Sequence, residues 1–325
     1  MFEYSHLFML DPAKPALILA PMQGIIDAPM RALLSESGAF TFGVSEYIRV
    51  SVDPVPAKVF LRDVPELNTD SKTPNGMPVQ VQLLGGEPNC VADAAKTACE
   101  LGAQAIDLNF GCPAKTVNRR EGGAILLKDP ARIREIVKAV RESVPQPIPI
   151  SVKLRLGWES VDEIHLNARM CVEAGASWLT IHARTKTQGY APPAIWHKIA
   201  EVRREVKIPV VANGDIWTVD DFLRCRDVTG CDHFMIGRGA LANPNLSVQI
   251  AKELGLPGRE IDLNWLGLVN RLLQYGEMHG YRVTKGTVSH IKEWLRLASD
   301  RGMLTDFDEI KKATTIEELR YLLVR

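Results

Sequence analysis

Along the first two thirds of the chain, short runs rich in β-branched and apolar residues recur, and longer stretches between them return apolar residues every three or four places. The short runs are ALILAPM (16–22), FGVSEYI (42–48), PVQVQLLG (78–85), AIDLNFG (105–111), PISVKLRLG (149–157), WLTIHAR (178–184), IPVVANGD (208–215) and HFMIGRG (233–239). The stretches between them predict helices over 90–101, 130–144, 161–174, 194–206 and 218–228. Two of these stop at a glycine, in Leu101-Gly102-Ala103 and Ala174-Gly175-Ala176. Strands alternating with helices imply parallel strands joined by crossovers. Eight such units over about 240 residues predict an α/β fold, the TIM (β/α)8 barrel. A doubly wound sheet competes, but no GxGxxG follows the first run. Beyond Gly258 only the helical period remains, over 263–279, 287–301 and 316–323. The chain is therefore read as a barrel domain over 1–257 and a separate small helical domain over 258–325.

Composition narrows the class. Apolar residues make up 46% of the 325 positions and charged residues 24%, as in soluble globular proteins. No apolar run approaches the roughly 18 residues that span a bilayer. The start, MFEYSHLFMLDPAKP, lacks a basic segment followed by an apolar core, so a cytoplasmic protein without a signal peptide or membrane partner is expected. Six cysteines stand at 90, 99, 112, 171, 225 and 231 with no CxxC pair, which argues against disulfides and a bound metal. Thirty-nine basic residues cancel thirty-nine acidic ones, so a polyanionic partner would have to be held by local patches.

The candidate chemistry sits at the C-terminal ends of the predicted strands, where barrel active sites lie. Asn213-Gly214-Asp215 and Gly237-Arg238 close the seventh and eighth runs. Glycines there either let backbone N–H groups approach a phosphate, with Arg238 assisting, or simply make tight turns. Lys153 and Arg155, two residues apart, leave the same face of their strand, and the barrel mouth suits two cations better than the helix-covered side. A lysine at the mouth fits an anionic cofactor such as a reduced flavin, which Gln82 and His182 could also bond; a core imidazole is the other reading of His182. Cys112, on a Gly-Cys-Pro loop past the fourth strand, is a nucleophile, a general acid or a packing residue. A nucleophilic cysteine usually has a histidine or helix N-terminus beside it, whereas an ordinary thiol stays protonated at neutral pH and can donate to carbon when hydride adds across a C=C bond.

Taken together, Ala-Pro21-Met22, Asn109-x-Gly-Cys112-Pro, Lys153-Leu-Arg155, His182-Ala-Arg184, Ala-Asn213-Gly-Asp215 and Gly237-Arg238-Gly resemble the tRNA-dihydrouridine synthases over nearly the whole chain. NFGCPAKTVN, RLGW (155–158) and RTKTQGY (184–190) resemble the bacterial C-type subfamily in particular. The resemblance implies an FMN-bound barrel that uses NADPH to reduce a tRNA uridine, position 16 in this subfamily, to 5,6-dihydrouridine. It implies that Pro21, Met22 and Gln23 frame the flavin and that Gln82 and Lys153 bond its pyrimidine edge. His182, Asn213, Gly214, Asp215, Gly237 and Arg238 would hold the ribityl chain and phosphate. Hydride would pass from flavin N5 to uracil C6 and a proton from Cys112 to C5, with Asn109 and Arg155 orienting the flipped-out base. The chain departs from the wider family at Ile26, where Thr is common before the aspartate, and from C-type relatives at Gln23, where Glu is frequent.

Candidate tRNA contacts come from basic stretches. Residues 182–198 hold Arg184, Lys186 and Lys198 without an acidic residue, and 279–296 hold Arg282, Lys285, Lys292 and Arg296 against Glu293 alone. Arg49 and the pair Arg119 and Arg120 add to them. A monomer is expected. Two other readings remain at this level: an FMN barrel acting on a free pyrimidine, of the dihydroorotate dehydrogenase kind, and a non-catalytic tRNA-binding factor.

Overall fold

The structure, a computed structural model, describes residues 9–118 and 122–324. Its centre is a closed, all-parallel barrel of eight strands: β1 (Ala16–Leu19), β2 (Phe42–Arg49), β3 (Val79–Leu84), β4 (Ile106–Phe110), β5 (Ile150–Arg155), β6 (Trp178–His182), β7 (Val210–Asn213) and β8 (His233–Ile236). Ile236 pairs with Leu19 to close the ring. Seven strands lie inside the expected runs, and β2 extends one residue past its own, to Arg49. Most stop before the run does, because Pro21, Gly85, Gly157, Gly214 and Gly237 take the chain out of the ladder and into the loops of the rim.

Alternation sorts each strand into two faces. Outward residues such as Leu17, Val79, Ile106 and Leu179 pack with the surrounding helices. Inward, Ile18, Phe42, Val44, Trp178, Val211 and Met235 fill the barrel, with Leu10 of the N-terminal segment packed against them. The Phe42 and Trp178 rings meet edge-on at 6.0 Å. Other inward positions are polar and bond one another, with Gln80 Oε1 left without a partner. Gln80 Nε2 donates to Ser151 Oγ at 2.9 Å, Ser151 donates to the Asp107 carboxylate, and Gln82 Nε2 donates to Asp107 Oδ2 at 2.7 Å. Burial pushes Asp107 up to about 6.

The loop after β1 is pinned from below. Asp27 caps the helix Ala28–Ser35 by accepting from the Met30 N–H at 3.0 Å. Arg31, wholly buried on that helix, pairs with Glu66 at 2.8 Å and donates to the Ile26 carbonyl at 3.0 Å. Ile26 is itself fully buried, which accounts for an apolar residue at this departure from the family pattern. Asp27→Ala is expected to cost about 1 kcal/mol of stability, read from the urea midpoint, because it frees a helix-end N–H.

The C-terminal helices are Trp265–Met278, Lys285–Ser299, the single turn Phe307–Ile310, and Ile316–Leu323. A separate domain was the expectation, but the packing is continuous: Leu268, Leu272, Ile291, Trp294 and Leu319 belong to the same buried apolar cluster as the outer face of the barrel. Trp294 Nε1 donates to the Leu241 carbonyl at 3.0 Å, the His290 imidazole bonds the Ile25 carbonyl at 2.9 Å, and Tyr275 donates to Glu36 at 3.0 Å. Residue 258 marks a change of architecture rather than a break in the core.

Candidate active site

A cavity of about 780 Å³ opens at the C-terminal mouth of the barrel, partly bounded by Glu293, Arg296, Leu297, Asp300 and Arg301 of the helical tail. Every strand except β1 places at least one residue of its last three on the wall or within one residue of its end, and Ala20 to Gln23 complete the ring after β1.

The wall that carries Cys112 is tightly held. Asn109 Nδ2 donates to Gln82 Oε1 at 2.8 Å, while its own Oδ1 accepts from the N–H groups of Gly111 at 2.9 Å and Cys112 at 3.0 Å. Arg155 Nε donates to the Gly111 carbonyl at 2.9 Å, and its Nη1 to the carbonyls of Thr185 at 3.0 Å and Gly189 at 2.8 Å. Two side chains of the barrel thus fix the cysteine loop, and Arg155 ties it to the loop after β6. Cys112 is half-buried and faces the cavity.

Lys153 points inward, as the two-residue spacing to Arg155 demanded, with Nζ 3.4 Å from Asn213 Oδ1. Burial and the neighbouring Arg155 draw its pKa down to about 8, against the pull of Asp107. His182 is held well below the usual imidazole value by burial and by the cations Arg155, Lys153, Arg184 and Arg238, so it is neutral. Its Nδ1 is buried and has no hydrogen-bond partner.

Opposite lies a glycine-lined corner. Gly214 has φ +118°, and a Cβ there would come 3.4 Å from the Ala183 nitrogen. At Gly237 the added carbon would meet Met22 Sδ at 3.0 Å and Ala20 Cβ at 3.1 Å. Gly214 therefore serves the turn, whereas Gly237 serves close approach. Arg238 lies between Tyr190 and Trp217, with 4.6 and 4.8 Å from its guanidinium to the ring centres. It reaches Asp215 Oδ1 at 3.2 Å. Arg301 covers Trp217 at 3.7 Å, so cation–aromatic contacts join the tail to the barrel rim. Asp215 also accepts from Arg184 and from Trp217 Nε1, the latter at 3.3 Å.

The expected tRNA contacts divide. Arg184 is corrected: it is completely buried, clamped between Asp215 and the Ala191 carbonyl at 2.7 Å, and cannot reach a phosphate outside. Lys292 is likewise committed, donating to the carbonyls of Lys311 at 3.1 Å and Ala313 at 2.7 Å. Lys198 pairs with Asp162 and Glu201, each at 2.8 Å, and Lys186 lies over the Trp158 ring at 4.0 Å. Arg49, Lys285 and Arg296 are exposed. Arg49 leans on the cysteine loop through the Thr116 carbonyl at 3.2 Å, and Arg296 stands on the cavity rim. Arg119 and Arg120 lie outside the described residues.

Four wall residues, Tyr47, Tyr190, Trp217 and Arg301, had no assigned role in the sequence. Tyr190 was visible only as the end of RTKTQGY. Among the described residues, no group of three or more His, Cys, Asp or Glu could hold a metal ion, and no helix is long and apolar enough to cross a membrane.

The sequence profile of the family described as dihydrouridine synthase (Dus) matches residues 18–292. The tRNA-dihydrouridine(16) synthase of Shewanella oneidensis is 45% identical over 307 residues, covering 93% of this chain and 95% of the relative. That of Aquipseudomonas alcaligenes is 41% identical over 310 residues, 94% of this chain and 98% of the relative. That of Escherichia coli K12 is 44% identical over 281 residues, 86% of this chain and 87% of the relative. Among solved structures, a 2-naphthoyl-CoA reductase complex superposes with a TM-score of 0.54 at 15% identity, over 77% of this chain and 49% of its own, a likeness of fold alone.

Proposed function

The chain belongs to the dihydrouridine synthase family, and on that premise we propose that it reduces uridine 16 of tRNA to 5,6-dihydrouridine, with FMN as the bound cofactor and NADPH as the reductant. The observation that carries this reading is one cavity that holds a half-buried thiol on one wall and Gly214, Gly237 and Arg238 on another.

The residues present fit a flavin mononucleotide. The unpartnered Nδ1 of neutral His182 is a buried polar atom that asks for a ligand group. Gly237 and Arg238 line the same part of the cavity wall, where Arg238 brings a cation. Lys153 and Gln82 line the opposite, polar side of the cavity. Lys153 would hold the pyrimidine edge, with Gln82 beside it; His182, Asn213, Gly214, Gly237 and Arg238 would take the ribityl chain and phosphate; and Pro21, Met22 and Gln23 would frame the ring. Asp215 would act through the two arginines it holds. When bound, the flavin supplies the hydride for uracil C6.

The protein's own part is orientation and a proton. Uracil must leave its stack to enter a cavity inside a barrel. Cys112 carries the proton for C5, and its loop cannot drift because Asn109 and Arg155 grip it from two sides. Holding donor and acceptor in place removes the entropy cost of their encounter. NADPH should bleach the colour of the purified yellow protein, and neither free uridine nor orotate should restore it as tRNA does. Reoxidation by a free pyrimidine at the tRNA rate would favour a small-molecule enzyme instead.

Arg49, Lys285 and Arg296 are exposed, Arg296 on the cavity rim, and they are assigned here to tRNA phosphates. Replacing Lys285 and Arg296 together by alanine should weaken tRNA binding and reduce the slope of log K against log salt by about 1 to 2, at roughly 0.9 per phosphate contact. Flavin absorbance serves as the control for folding. An unchanged slope would remove the tail from the tRNA footprint.

A further inference from the structure

Strand β2 does not keep its period of two. Its register against β3 shifts between Val44 and Tyr47. Val44 faces the barrel interior, whereas Ile48, which an unbroken strand would present on the same side, is packed in the outer apolar layer. The bulge therefore re-aims the strand end, as bulges beside active sites do, and Tyr47 comes to line the cavity. There it shares the cavity wall with Cys112, the phenol and the thiol being electrostatic neighbours. Tyr47 pairs in the ladder with Gln82, Gln82 accepts from Asn109, and Asn109 holds the Cys112 N–H, so phenol and thiol stand on one rigid wall. Burial, with the thiol beside it, pushes the phenol up to about 12, so its proton is retained across the neutral range.

We propose that Tyr47 is a positioning residue for Cys112, aiming the thiol, donating a hydrogen bond to the thiolate that proton transfer leaves behind, and relaying a solvent proton back to it. This rests on the uridine reduction proposed above. In the transfer, the Cys112 S–H bond breaks as a C–H bond forms at C5, and the electron pair stays on sulfur. Sulfur then takes the Tyr47 proton while the phenol oxygen takes one from water, so both groups return to their starting state with one solvent proton consumed.

Tyr47→Phe keeps the ring and removes only the donor. In the flavin-loaded protein, kcat on unmodified tRNA should fall about 10- to 100-fold with KM unchanged, the worth of one hydrogen bond to a charged group. Without tRNA, alkylation of Cys112 by iodoacetamide at fixed pH, followed on its own peptide by mass spectrometry, should slow several-fold, because less thiolate is stabilised. An unchanged kcat overturns the proposal, as does a fallen kcat with unchanged alkylation. A parent protein that forms no dihydrouridine would instead sink the reaction itself, and the alkylation arm would still report on the Tyr47–Cys112 pair.

Discussion

Replacing Cys112 with alanine leaves a folded, flavin-loaded protein that NADPH still reduces, and lowers turnover on tRNA by about 10²- to 10⁴-fold, the usual worth of a positioned general acid. The sparing of cofactor binding follows from the structure. The thiol sits on the loop after β4, and the loop's own hydrogen bonds run through the backbone of Gly111 and Cys112, which alanine retains. The proposed phosphate corner, His182, Asn213, Gly214, Gly237 and Arg238, lies at the ends of β6, β7 and β8 and does not use that loop. Loss of proton delivery should therefore appear in single-turnover reduction of tRNA, with the rate of flavin reduction by NADPH unchanged. Equal single-turnover rates in both proteins would return Cys112 to a packing role.

The second large effect is on stability and cofactor retention together. Asp215→Ala removes the carboxylate that faces Arg184, a guanidinium with no exposed surface. A buried cation left without its partner costs about 3 to 5 kcal/mol. Asp215 also adopts φ 54°, which suits aspartate or asparagine better than alanine. Arg238 loses its contact at 3.2 Å as well, so the phosphate corner should loosen and the protein should release flavin more readily. Denaturant midpoints and flavin dissociation report the two losses separately. Asp215→Asn, which keeps an acceptor in the same place, should cost less. If alanine and asparagine variants unfold at the parent's midpoint, the pair with Arg184 does not hold the rim.

Much of the barrel was legible because alternation is a strong signal where one face is buried. Seven of the eight strands fall within the runs that predicted them, and β2 overruns its own by one residue, Arg49. The helix Ile316–Leu323 has the expected bounds, and the other two long tail helices differ by about two residues at their ends. The misreadings have local causes. Arg184 follows β6 and looks like one member of a basic loop, yet the chain turns it inward onto Asp215, and composition does not encode which side of a rim loop a cation takes. Lys292 lies on an amphipathic helix, but its ammonium closes the carbonyls at 311 and 313, a contact some twenty residues away that periodicity cannot show. The tail's apolar stripe announced a buried face without naming its partner, and the partner is the barrel's own outer layer. Tyr47 was hidden by the bulge in β2, since strict alternation assigns the inward place to Glu46. Short helices such as Ala57–Asp63 and Arg238–Ala242 carry too few turns to show a period.

On the proposed reading, the thiol and the cofactor do not select a nucleotide, so the choice would come from how the tRNA body rests on exposed cations such as Arg49, Lys285 and Arg296. Position-resolved mass spectrometry of unmodified tRNA, incubated with the purified protein and NADPH, tests that most directly. The account predicts a mass gain of about 2 Da, one hydride plus one proton, confined to uridine 16 and absent with the Cys112→Ala protein. Dihydrouridine at 17 or 20 with none at 16, or no dihydrouridine from a flavin-loaded protein, would contradict it.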